Sequence, residues 1–68
     1  MKDRKGRGLK VGERVRIEED IPSINGMLYK NSIVKVDEFN IENKKIRVTD
    51  NLGKIWWIEP SFVSASFL

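Results

Sequence analysis

The side chains able to do chemistry are ten carboxylates, thirteen lysines and arginines, and a Trp56-Trp57 pair; histidine and cysteine are absent. Without imidazole or thiol, general acid–base and nucleophilic work falls to paired carboxylates or to an activated Ser or Lys. The acids are scattered along strand-like segments and loops, and the serines sit at turns and near the C-terminus. Glu18-Glu19-Asp20 is the densest acidic cluster, but consecutive residues splay outward and no metal-loop spacing follows them. These residues predict neither an enzyme, nor a metal site, nor a bound cofactor.

The cations are more informative. Residues 1–10 hold Lys2, Arg4, Lys5, Arg7 and Lys10 against Asp3, a net +4, while the other 58 residues carry eight basic and nine acidic side chains. The overall +3 therefore belongs to the N-terminal segment. Five cations in ten residues suit phosphate contact through counterion release, and equally suit a solubilising leader with no dedicated partner. A charged, Gly-punctuated stretch without a large apolar cluster predicts a mobile tail over 1–10 and a single domain over 11–68.

The elements that must position these groups are short strands. Val15 and Ile17 alternate with Arg14 and Arg16, a period of two. A long polar connection from Glu18 to Lys30 holds Pro22 and the turn-forming Asn25-Gly26 pair. Strands are expected over 33–39, 46–49 and 54–58, with a hairpin loop at 40–44 and a tight turn at Asp50-Asn51-Leu52-Gly53. Pro60 lacks a donor and breaks the ladder into a turn of 3₁₀ helix, after which Val63 to Phe67 alternates as a fifth strand. Five short strands at regular spacing predict an all-β, five-stranded barrel.

Parity then sorts the side chains. Arg14, Arg16, Lys35, Lys45 and Arg47 fall on the outward positions, diluted by Glu13, Asp37 and Glu38 into what on its own is a mixed solvated face. Adjacent strand residues point to opposite faces, so only one of Trp56 and Trp57 enters the core; if Ile58 is inward Trp56 goes in with it, and Trp57 stands outside near Ile55. With Tyr29 and Phe62 nearby, Trp57 offers a surface for stacking a base or gripping an apolar side chain; alternatively it lies flat on the 18–30 connection. The terminal Phe67-Leu68 either closes the barrel bottom or forms a dimer contact, closure being the simpler use.

Two segments resemble the Src-homology-3 family. Leu28-Tyr29-Lys30-Asn31-Ser32 stands where that family has its diverging turn, and Trp57-Ile58-Glu59-Pro60-Ser61-Phe62-Val63-Ser64 resembles its closing strand, 3₁₀ turn and last strand. The resemblance implies a Src-homology-3-like barrel over the chain after the tail. It does not carry over proline-rich peptide recognition, because the family's ligand-binding tyrosines near the first strand are missing and its acidic loop is only thinly matched by Glu18, Glu19 and Asp20. Small ribosomal and transcription-factor modules and short phage or prophage proteins look similar.

A cysteine-free chain with no run of about 18 apolar residues is expected in the cytoplasm, without a membrane span. The leading expectation is a small nucleic-acid-associated protein. Lys2, Arg4, Lys5, Arg7, Lys10, Arg14, Arg16, Lys45 and Arg47 would supply electrostatics, and Tyr29, Trp57 and Phe62 the stacking surface. The alternative is a protein–protein adaptor or inhibitor, for example a phage product acting on a host protein through the same aromatic groove.

Overall fold

In the computed structural model, residues 1–24 and 26–65 are described. The expectations placed on Asn25, Ser66, Phe67 and Leu68 lie outside them. The chain forms β1 (Arg14–Ile17), β2 (Ile21–Ser23), β3 (Gly26–Leu28), β4 (Ile33–Asn40), β5 (Lys45–Thr49), β6 (Ile55–Ile58), a 3₁₀ turn (Pro60–Phe62) and β7 (Val63–Ala65). The fold is all-β among the described residues, and the 3₁₀ turn stands before the last strand as Pro60 requires.

Two departures from expectation concern the sheet. The long connection after β1 is not irregular throughout: β2 and β3 pair antiparallel as a small separate hairpin. The barrel is not closed. The main sheet is an open run of five strands in the order β6-β5-β4-β1-β7, with β6 and β7 at its two edges. The physical reason lies in β7, whose three residues spend their pairing on β1. The 3₁₀ turn carries the chain from one sheet edge to the other instead of letting β6 and β7 meet.

Alternation decides what is buried. Val15, Ile17, Val34, Val36, Ile46, Val48, Trp56, Ile58 and Val63 all fall on the inward parity and form one core with Leu9 and Leu28. Strand β4 would break this rule at Phe39, which simple alternation groups with Ile33 and Lys35. A bulge between Val36 and Glu38 inserts one residue, so that Phe39 sits opposite buried Ile46 and packs against the core.

The N-terminal segment takes a form that its composition does not announce. Residues 1–9 lie against the sheet as a loop. Lys2 and Gly8 bridge antiparallel, and the Leu9 N–H donates to the Met1 carbonyl at 2.8 Å. Asp3, buried, accepts the backbone N–H groups of Lys5 and Arg7 on one carboxylate oxygen, each at 2.9 Å. Gly6 closes this turn at φ 82°, a left-handed conformation that suits glycine. The Arg4 N–H donates to the Val63 carbonyl at 2.9 Å, and Arg4 Nε to the Ser61 carbonyl at 2.9 Å. Leu9 then drops into the core. The segment orders because long-range contacts satisfy its charges and backbone, which local composition does not reveal.

Candidate nucleic-acid interface

The outward face of the main sheet is set by register. One row crosses four strands: Ile55 on β6 lies opposite Thr49 on β5, Thr49 opposite Lys35 on β4, and Lys35 opposite Arg14 on β1. In the next row Trp57 lies opposite Arg47, and Arg47 opposite Glu38. With strands about 4.8 Å apart, each row spans on the order of 10–15 Å of one face. An exposed apolar edge, Ile55 and Trp57, thus borders a band of cations.

Within that band the carboxylates are already engaged. Asp37 accepts the Thr49 hydroxyl and lies 3.7 Å from Arg47 Nε, while Glu38 lies 4.0 Å from Arg47 Nη1. Arg14 and Lys35, both exposed, make no ion pair among the described residues although they face each other across β1 and β4. Like charges directly opposite on a sheet are destabilising unless an anion offsets them. A cleft of about 370 Å³ opens beside them, bordered also by Asp37, Thr49 and Asp50.

Asp50 makes the β5–β6 turn rigid and thereby fixes the edge. Its carboxylate accepts the N–H of Leu52 at 2.8 Å, the N–H of Lys54 at 3.0 Å and the Trp56 indole N–H at 3.1 Å. The Lys54 ammonium stands 4.2 Å from the centre of the Trp56 ring. With Trp56 pinned inward from both sides, Trp57 is held outward and about half exposed. Partial burial of the Asp50 carboxyl raises its pKa, but the hydrogen bonds from Trp56, Lys54 and Leu52 outweigh it and hold the group below its ordinary value of 3.8.

A depressed folded-state pKa contributes stability that is fully present above the unfolded value and is lost as pH falls through the folded one. Asp50→Asn is therefore expected to lower stability by about 1–2 kcal/mol at pH 7, a figure reduced because the carboxylate is partly exposed. The same variant flattens the acid limb of a thermal-stability profile below about pH 4, which melts followed by Trp fluorescence will check.

The other predicted residues are dispersed. Arg4 is tied to Glu19 at 2.6 Å, and Arg7 to Glu13 at 3.0 Å and Asp3 at 3.6 Å, so these two cations serve the docked loop. Arg16 donates to Glu18 at 2.9 Å, a bond that holds the Glu18 carboxyl below its ordinary range, and Lys45 reaches Glu59 at 3.4 Å. Lys2, Lys5 and Lys10 are exposed and outside any ion pair among the described residues. Tyr29 is exposed just after β3, beside Met27 and Leu52, in a cleft that shares Ile33, Asp50 and Asn51 with the one beside Arg14 and Lys35. Phe62, expected at the surface, packs instead against the core from the 3₁₀ turn. Lys35 was legible as an outward cation, but its opposition to Arg14 follows only from the β1–β4 register.

Among the described residues no group of His, Cys, Asp or Glu is arranged to hold a metal ion, and no helix is long and apolar enough to cross a membrane. No protein-family model, no curated protein and no solved structure matches this chain.

Proposed function

We propose that the domain is a non-catalytic, cytoplasmic nucleic-acid-binding module that works through the outward face of its sheet. The observation that carries this reading is the Arg14–Lys35 pair, two opposed cations without a carboxylate partner among the described residues, on the face that also presents Trp57 beside Arg47. Phosphates relieve the repulsion between the two cations, and a base stacks on the exposed indole. Lys2, Lys5 and Lys10 add a diffuse positive field, whereas Arg4 and Arg7 act structurally. The architecture is read as a Src-homology-3-like fold, supported by the long connection after β1 and the 3₁₀ turn before β7.

Fluorescence anisotropy with labelled single-stranded and duplex oligonucleotides tests the proposal. The Arg14→Ala/Lys35→Ala double variant is expected to bind about tenfold more weakly and to reduce the salt slope by about 2, one per lost phosphate contact. Trp57→Ala weakens single-strand binding by about 1–3 kcal/mol. Absence of binding at low salt, or a salt slope indifferent to the double substitution, overturns the reading.

A second reading, a protein-binding module, is favoured by one observation. Met27, Tyr29 and Leu52 are exposed around a cleft between the β2–β3 hairpin and the β5–β6 turn. Partner binding that ignores salt and is abolished by Tyr29→Ala would select it.

A further inference from the structure

The two edges of the main sheet are treated differently. At β7 the edge is occupied, since the Arg4 N–H docks on the Val63 carbonyl. At β6 nothing comparable is present among the described residues, and the strand Ile55-Trp56-Trp57-Ile58 carries no charge, no proline and no bulge. Edges so unguarded are templates for pairing with another strand.

Which backbone groups are free follows from the hairpin. The Asp50 N–H donates to the Lys54 carbonyl at 3.0 Å, so the Lys54 peptide oxygen points at β5. Peptide groups alternate along an antiparallel strand, so Trp56 and Ile58 also face β5, while Ile55 and Trp57 turn their N–H and C=O outward. These are the two residues whose apolar side chains are exposed, at 53% and 48%.

We infer that β6 pairs with β6 of a second copy of this chain, antiparallel about a two-fold axis through Trp56. A two-fold axis normal to the sheet keeps inward residues opposite inward ones, which restricts the register to those centred on a residue. Centring on Trp57 sets Ile55 against the carboxylate of Glu59, and centring on Ile55 sets Trp57 against Gly53. Centring on Trp56 places Ile55 opposite Trp57 twice and exchanges four backbone hydrogen bonds. The β2–β3 hairpin tip borders the seam, with a cleft of about 480 Å³ between Ser23, Ile24 and the strand Lys54–Trp57. The inference stands apart from the nucleic-acid proposal. Its product is one continuous ten-stranded sheet with both outward faces on the same side.

Sedimentation equilibrium of the full chain over about 10–1,000 µM tests it, since so short a shared strand gives weak association. The apparent mass is expected to rise from 7.9 kDa toward twice that value. Ile55→Lys, which puts a charge on the edge, is expected to keep the mass at one chain with an unchanged circular dichroism spectrum. The register has its own test, because the protein contains no cysteine. A mixture of Ile55→Cys and Trp57→Cys chains is expected to form a disulfide-linked heterodimer under mild oxidation, several-fold above either variant alone. A single-chain mass at every concentration, or equal cross-linking by the separate variants, overturns the inference.

Discussion

A chain shortened to begin at Val11 is expected to melt about 10–30 °C below the full-length protein. Removing residues 1–10 exposes the pocket that Leu9 fills and strips the partly buried Met1 from the core, a loss of about 2–4 kcal/mol. It also deletes the buried Asp3 turn and the Arg4 contacts to Ser61, Val63 and Glu19. A domain of this size holds roughly 3–5 kcal/mol in total, so the shortened chain sits near its unfolding threshold. Each kcal/mol is worth about 4–8 °C at this length. Thermal melts by circular dichroism decide the matter; a melting temperature unchanged by truncation would mean that the segment adds nothing to the fold. Binding lost on truncation consequently does not identify these cations as ligand contacts, and single substitutions at Lys2, Lys5 and Lys10 are the cleaner probe.

Ile46→Ala is expected to leave the protein largely unfolded at 25 °C. Ile46 is fully buried on β5, opposite Phe39 on β4 and Ile58 on β6. Truncating a buried isoleucine costs about 2–5 kcal/mol, because the cavity adds to the lost transfer energy. That is comparable with the whole stability of the domain. The exposed Ile55, one strand away, makes the control: Ile55→Ala is expected to change stability by no more than about 0.5 kcal/mol. Urea titrations of the two variants, followed by Trp fluorescence, separate a core position from a surface one.

The parity of most strands could be read directly from residue type. Val15 with Ile17, Val34 with Val36, and Ile46 with Val48 are buried in pairs two residues apart, whereas two adjacent tryptophans leave their own parity open, and the structure buries Trp56 with Ile58 and leaves Trp57 outside. What alternation hides is any insertion in the ladder. The bulge in β4 moves Phe39 from the outward set to the core, and Asp37 and Glu38 do not announce it. Sequence likewise hides order that is purchased at a distance. Arg4 and Arg7 read as free phosphate-binding cations, yet Glu19, Glu13 and Asp3 consume them. The same applies to Arg14 and Lys35, whose opposition is a property of strand register and not of either residue. The open edge was concealed too, since five strands with barrel-like spacing do not reveal whether the first and last partners in space will meet.

The contact between Arg4 and Val63 also has a consequence in time. Residues 4 and 63 are 59 positions apart, and β1 is completed on one side by β4 and on the other by β7. During synthesis the meander of β4, β5 and β6 can assemble from neighbours, but β1 keeps one flank bare until residues 63–65 leave the ribosome. Loops of that length close slowly, and a nascent sheet with an unfilled place is open to wrong partners. Folding of this chain is therefore expected to finish only once residues 63–65 are free to pair, closed by the same few residues that anchor its beginning.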